Sequence, residues 1–222
     1  MTVLLVLAMF ALFIAIDYIR TSRKRAVLEV RPQPAVPAMT ARALPEVVAG
    51  FRIAPNLMYH PGHSWAVKEG GDLVRVGLDD FAARVAGKLD GITLPQRGRW
   101  VTQGQKAYTL QHDGAKVDMV SPIEGTVVEL NEAVLRDPEL ARRDPYGEGW
   151  LMLVNAPETK TKFRNLLGGN MARLWTEDAA MRLQRQLPMQ PAMADGGLAL
   201  DTVTTGKTPK EWESLAREFF LT

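Results

Sequence analysis

Between residues 51 and 155 the hydrophobic positions form short apolar runs separated by turn residues. Six runs have the length and composition of strands: Trp65–Val67, Leu73–Val76, Lys106–Gln111, Val117–Val120, Gly125–Leu130 and Trp150–Val154. Turn signals rich in glycine or proline separate them, at Gly70-Gly71, residues 96–98, Asp113-Gly114 and residues 122–125. Many short strands with regular turns predict a mainly β fold, built as a small sandwich or flattened barrel.

Apolar residues at helical spacing occur between some of these strands and in the region that follows them. Residues 80–87 predict one short helix, and residues 131–143 predict a less regular one with Pro138 inside it. Beyond residue 157 we expect two further helices, one ending at Gly168-Gly169 and one beginning at residue 170 or 176 and ending at residue 187. Their apolar side chains are expected to pack against the sheet: Phe163, Leu166, Leu167, Leu174, Trp175, Leu183 and Leu187. The predicted class is α+β, mainly β with C-terminal helices, in a domain over residues 51–187.

Residues 188–222 combine a loose linker with one amphipathic helix. Thr208, Pro209 and Glu211 fit an N-cap, a first-turn proline and a capping-box acid. The apolar side chains that follow at helical spacing are Trp212, Leu215, Ala216, Phe219 and Phe220. Because a helix this short needs a surface to pack on, it either packs on this chain's own domain or docks into a groove on a partner. In the second case Trp212, Leu215, Phe219 and Phe220 are the partner-binding residues.

The first nineteen residues predict a membrane anchor. Residues 1–16 are apolar apart from Thr2, and a helix over residues 1–19 would reach about 28 Å, close to the hydrocarbon thickness of a bilayer. Basic residues follow the apolar run, at Arg20, Arg23, Lys24 and Arg25, which is the reverse of the charge order of a signal peptide. The sequence therefore predicts an uncleaved single-pass anchor in the inner or plasma membrane, with the remaining chain on the cytoplasmic side.

A basic flank and a proline-rich tether are predicted over residues 20–50. Four prolines lie in this stretch, at Pro32, Pro34, Pro37 and Pro45, and no sustained hydrophobic period accompanies them. Such spacing favours an extended, partly stiff segment that would keep the folded domain away from the bilayer.

The amino-acid composition excludes several kinds of partner and reactive site. With 27 Lys and Arg against 25 Asp and Glu, the formal net charge of +2 gives no reason to expect nucleic acid as a partner. The absence of cysteine excludes disulfides, thiolate nucleophiles and Cys-type metal sites. His60 and His63 are separated by a Pro-Gly turn, so their spacing does not predict a metal site. Since no credible pair of nucleophile and base remains, we do not expect an enzyme.

Several motifs in the central domain match one known family. They are His63-Ser64-Trp65, Val76-Gly77-Leu78-Asp79-Asp80-Phe81-Ala82, Leu94-Pro95, Gly98, Gly104, Asp118, Ser121-Pro122, Gly125, Asn131-Glu132-Ala133, Asp137-Pro138-Glu139-Leu140 and Asp144-Pro145-Tyr146-Gly147-Glu148-Gly149-Trp150-Leu151. In these motifs the chain resembles glycine cleavage H proteins, over roughly residues 58 to 185 and with no gap between Val76 and Leu151. The resemblance implies a flattened lipoyl/biotinyl-type barrel that carries a lipoyl group on a lysine at a hairpin tip.

The position of that lysine is occupied by Gly114. The family tip reads approximately Glu-Ser-Val-Lys-Ala, and counting from either side places the lysine at Gly114 and the acid at Gln111. Asp113-Gly114 instead favours a plain tight turn, because glycine accepts positive φ. Lys116 lies two residues later, so its Cα is displaced by about 6 to 7 Å along a strand. Lipoate is therefore a disfavoured cofactor, with Lys116 as its one candidate attachment site.

The sequence is consistent with two functions. The first is a membrane-tethered, non-catalytic module that is not lipoylated and acts as an interaction or scaffold domain for glycine cleavage components or a membrane complex. The second is a true aminomethyl carrier of the glycine cleavage system that uses lipoate on Lys116.

The anchor can be tested by fractionation. We expect the full chain to remain in the membrane pellet after alkaline extraction, and a chain starting at residue 45 to be released, because the hydrophobic segment would be gone. Immunoblots of pellet and supernatant measure the distribution. Release of the full chain would contradict the predicted anchor.

Overall fold

The computed structural model describes residues 45–157, 159–186 and 207–220. The strands in these ranges are β1 (Glu46–Val48), β2 (Phe51–Ile53), β3 (Met58–His60), β4 (Ser64–Gly70), β5 (Leu73–Leu78), β6 (Gly91–Thr93), β7 (Trp100–Val101), β8 (Lys106–His112), β9 (Ala115–Val120), β10 (Gly125–Leu130) and β11 (Met152–Asn155). The helices are α1 (Asp80–Ala86), α2 (Glu132–Arg136), α3 (Glu139–Arg143), α4 (Thr159–Lys162), a 3₁₀ turn at Phe163–Asn165, α5 (Gly169–Gln186) and α6 (Pro209–Phe220).

The strands form three antiparallel sheets. Six strands pair in the order β3-β4-β5-β11-β10-β7, three in the order β6-β8-β9, and β1 pairs with β2. One buried hydrophobic cluster receives side chains from both larger sheets, including Val76 and Val127 from the first and Leu110 and Met119 from the second. The fold is thus mainly β with C-terminal helices, which confirms the predicted class. All six strands predicted from hydrophobic runs are present, although several boundaries differ by a few residues.

The folded part of the chain begins before residue 51, where the domain was predicted to start. Strand β1 lies inside the stretch assigned to the tether and pairs with β2 through the register Val48↔Phe51. The turn between them uses Ala49 and Gly50, both with positive φ. Since Val48 is buried, the folded domain includes residues 46–50.

No helix within the described residues is long and apolar enough to cross a membrane. The predicted anchor over residues 1–19, and the tether up to residue 44, lie outside those residues.

Local sequence explains the helices that follow the strands. The Asp79 side chain caps α1 by accepting from the backbone N–H of Ala82 at 2.7 Å. The predicted irregular helix is two short ones, α2 and α3, which are separated at Pro138. In α5 the side chains of Thr176 and Leu183 are buried, whereas Leu174 is 52% exposed and does not pack as expected.

The terminal helix α6 packs on the domain of its own chain. Trp212, Leu215, Phe219 and Phe220 are all buried, with exposures of 6% or less. The indole Nε1 of Trp212 donates to the backbone oxygen of Val85 at 3.1 Å. Of the two alternatives drawn from the sequence, the structure shows the first, so the four residues proposed to bind a partner contribute to the core instead.

Truncating this apolar face will destabilise the domain. Trp212→Ala and Phe219→Ala are each expected to lower the free energy of unfolding by about 3–5 kcal/mol, as for other buried aromatic side chains. Urea denaturation followed by circular dichroism measures the change. Ser214→Ala, on the exposed face of the same helix, should have an effect within about 0.5 kcal/mol. Equal stabilities for all three variants would mean that α6 is not packed on the barrel in solution.

Candidate functional site

Strands β8 and β9 form a hairpin with a two-residue turn. The last pair of the ladder is His112↔Ala115, and the turn residues Asp113 and Gly114 have φ of 46° and 78°. Positive φ at both central positions is the type I′ geometry that matches the twist of paired strands. The tight turn predicted from Asp113-Gly114 is therefore present, and Gly114 occupies its second position.

The tip of this hairpin is held against the loop that precedes β6. The backbone N–H of Asp113 donates to the Asp90 carboxylate at 2.6 Å. The His112 ring donates through Nδ1 to the backbone oxygen of Lys88 at 2.5 Å, and Asp90 N–H donates to the backbone oxygen of Gln111. These bonds fix the end of β8 and the first turn residue, so the tip is a closed turn fastened to the neighbouring loop.

Gln111 has a structural role in the same region. Its Nε2 donates to the Thr93 hydroxyl at 3.0 Å. Its Oε1 would lie 3.1 Å from a Cβ placed on Gly91, so the side chain packs closely over that glycine. The position where the resemblance implies an acid is thus occupied by an uncharged residue that links β8 to β6.

Lys116 lies within β9 and not in the turn. It pairs with Gln111 across the ladder. Its neighbours Ala115 and Val117 are buried while Lys116 is exposed, as expected from the alternation of side chains along a strand. The amine is accessible to solvent, but it projects from the flank of the hairpin.

Further along the same strand, Asp118 lies in a basic environment. It accepts hydrogen bonds from the Thr109 hydroxyl at 2.8 Å and from Lys106 Nζ at 2.5 Å. Partial burial raises the pKa of Asp118, but the bonds from Lys106 and Thr109 and the charge of Arg217 outweigh it and hold the pKa below its usual value. The carboxylate remains ionised and joins β8, β9 and α6 electrostatically.

A buried histidine lies behind the hairpin. His63 is fully buried and its Nδ1 lies 2.7 Å from the Asp79 carboxylate. Its ring stacks on Phe81 with centroids 4.1 Å apart and contacts Trp175 at 4.4 Å. Within the described part of the chain, Nε2 has no hydrogen-bond partner. His63 is therefore enclosed by aromatic side chains of the helices around it.

His60, the other histidine of the predicted turn, forms a hydrogen bond within that turn. His60 uses Nδ1 to accept from the backbone N–H of Gly62 at 3.0 Å, and burial, with a contribution from His63, lowers the pKa of His60. Among the described residues no group of three or more His, Asp or Glu side chains is placed to hold a metal ion.

The buried hydroxyl groups are engaged in structural hydrogen bonds. Ser64 Oγ lies 2.5 Å from the Tyr108 hydroxyl and donates to the backbone oxygen of Val120. The Tyr146 hydroxyl donates to the backbone oxygen of Arg52 and accepts from Asp80 N–H. Burial raises the pKa of Tyr108 and of Tyr146, so both phenols stay protonated. These groups fix the barrel and offer no exposed nucleophile.

Comparison with known proteins identifies the family. The family model described as glycine cleavage H-protein matches residues 57–178. This chain belongs to the glycine cleavage H-protein family. A probable glycine cleavage system H protein of Aeropyrum pernix is 37% identical over 122 residues, which are 54% of this chain and 84% of that relative. A glycine cleavage system H protein of Xanthomonas campestris is 35% identical over 127 residues, 57% of this chain and 97% of the relative.

A solved structure gives a further match. The crystal structure of a glycine cleavage system H protein from Mycobacterium marinum is 26% identical to this H-family chain, covers 57% of it and 98% of the solved chain, and superimposes with a TM-score of 0.48.

Some features of this H-family site have no clear sequence signal. The Asp90 and Lys88 contacts at the tip join residues more than twenty positions apart, and no spacing rule connects them. The pairing of His63 with Asp79 could have been suspected because both lie in family motifs, but the contact of His63 with Trp175 could not.

Asp79 is expected to stabilise this H-family barrel more than an ordinary surface acid does. Asp79→Ala removes a helix cap, at about 1 kcal/mol, and leaves His63 without its buried partner, at about 1–3 kcal/mol. We therefore expect the free energy of unfolding to fall by about 2–4 kcal/mol in urea titrations. Asp72→Ala, at an exposed position, is the matched control. If both variants lose the same stability, the buried pair is not the cause.

Proposed function

We propose that this chain is a non-catalytic H-family module that is not lipoylated and acts as an interaction or scaffold domain. The observation that carries the proposal is Gly114, which lies at the hairpin tip in a closed type I′ turn. A carrier of this kind needs an amine at the apex, and the apex residue has no side chain.

The nearest amine is poorly placed to replace it. Lys116 lies two strand residues beyond Gly114, which displaces its Cα by about 6–7 Å. Attachment of a cofactor depends on correct positioning of the reacting amine, so a displacement of this size is a large obstacle. Gln111, at the acidic position of the family, is uncharged and bonded to Thr93. Both features that an attaching enzyme would read at this tip are therefore altered.

The proposed cellular setting follows from the sequence outside the family match. We place the anchor at residues 1–19 and the folded domain on the cytoplasmic side of the inner or plasma membrane, because the basic residues follow the apolar run. The proposed partners are proteins, either glycine cleavage components or a membrane complex. The near-balanced charge argues against nucleic acid.

The second candidate is a functional aminomethyl carrier with lipoate on Lys116. The observation in its favour is the solvent exposure of this lysine on the hairpin that holds the attachment position.

Intact mass spectrometry distinguishes the two functions. The chain purified from cells with active lipoate attachment should have the mass of the unmodified polypeptide, because no amine lies at the apex. An H-family protein with a lysine at its tip, expressed in the same cells, is the positive control. A lipoyl adduct that disappears in Lys116→Ala would overturn the proposal and establish the second function.

A further inference from the structure

Helix α6 lies along the side of the hairpin that carries the family attachment position. Its first large side chain, Trp212, contacts the His112 ring with centroids 5.1 Å apart. His112 is two residues before Gly114 and pairs with Ala115, the first residue of β9. The Trp212 Nε1 bond to the Val85 oxygen fixes the same indole to α1. The helix therefore begins beside the tip and bridges the hairpin to α1.

The C-terminal end of α6 also packs against other helices of the domain. Phe219 packs on Phe81 of α1 with centroids 5.1 Å apart. The guanidinium of Arg182 in α5 lies 5.3 Å from the Phe219 ring centroid, and Gln186 of α5 donates to Glu218. Thus α6 covers an apolar strip between β9 and α1, and α5 holds its C-terminal half in place.

Helix α6 lies outside the residues that match the family model. The family match ends at residue 178, before α6 begins. In the Xanthomonas campestris relative, 97% of the chain aligns with 127 residues of this one, which leaves few residues for a counterpart of α6. Helix α6 is therefore a feature of this chain outside the residues that match the family model.

We infer that α6 acts as a cover: it occupies one flank of the hairpin and prevents the enzymes that attach lipoate from binding there. This inference rests on the proposed function and deepens it, because it adds a second barrier to the missing lysine. An attaching enzyme must hold a lysine at the tip in its active site, so it must contact the strands on either side of that tip. Trp212 and the first turn of α6 occupy one of those flanks.

The reaction used as a probe transfers a lipoyl group to the lysine amine in two steps. The enzyme activates the lipoate carboxylate with ATP as a lipoyl-adenylate, releasing pyrophosphate. The lysine Nζ then forms an amide bond with the lipoyl carbonyl, AMP leaves, and the amine gives up a proton.

The test begins by restoring the attachment site in the full chain with Gln111→Glu and Gly114→Lys. A Cβ at residue 114 would meet no atom within 4 Å, so the lysine has room. The positive φ at this position is a single local strain, which the domain can tolerate. Three forms are compared: the restored chain, the restored chain with Trp212→Ala and Phe219→Ala, and the restored chain with Lys210→Ala and Ser214→Ala on the exposed face of α6 as the matched control.

Purified lipoate–protein ligase, ATP and lipoate are added, and the rate of adduct formation is followed by intact mass. We expect the form with a weakened α6 to be modified about tenfold faster or more, since each 1.4 kcal/mol removed from the closed state raises the open population tenfold. The exposed-face control should match the restored chain. Equal rates in all three forms, or no modification of any, would overturn the inference.

A rescue measurement distinguishes displacement of α6 from a general loss of folding. A synthetic peptide of residues 207–222, added to the form with a weakened α6, should slow modification again by reoccupying the strip, whereas the same peptide with Trp212→Ala should not. An unchanged rate with both peptides would argue against the cover. These outcomes are independent of the mass of the wild-type chain, so a failure here is distinguishable from a failure of the proposed function.

Discussion

The buried contact between His63 and Asp79 joins more parts of this domain than any other interaction described above. Asp79 caps α1 through Ala82 N–H and bonds the imidazole of His63. The ring of His63 then contacts aromatic side chains from three helices, namely Phe81 of α1, Trp175 of α5, and Phe219 and Phe220 of α6. His63 has a φ of 61°, a costly conformation for this residue type, which persists because the surroundings fix it on every side. This polar pair therefore links the turn before β4 to α1, α5 and α6.

A second set of contacts fixes the tip of the β8–β9 hairpin. Its strands pair from Lys106 to Val120, and its tip is a two-residue turn that is fastened to the loop at residues 88–90. In the function proposed above, a swinging arm would need a side chain at this tip, and Gly114 supplies none.

The sequence predicted the strands that have four or more residues, because burial on the pleated surface imposes the pattern directly. It missed β1, β2, β3, β6 and β7, which have two or three residues each, too few for an alternation to be recognised. It also failed at Leu174, whose helical spacing suggested burial although that face of α5 is exposed. The tip could be predicted because Asp113-Gly114 has local turn chemistry. The contacts of His63 and Trp212 could not, because they depend on tertiary packing over long separations.

The position of α6 in the chain also affects how the domain is made. The bond between Trp212 and Val85 joins residues 127 positions apart, so α1 and β9 are synthesised long before the helix that covers them. During translation, at about 5–20 residues per second, the apolar strip of the nascent barrel stays open for several seconds. Chaperones and modifying enzymes that act on nascent chains meet a different surface from the one that the finished protein presents.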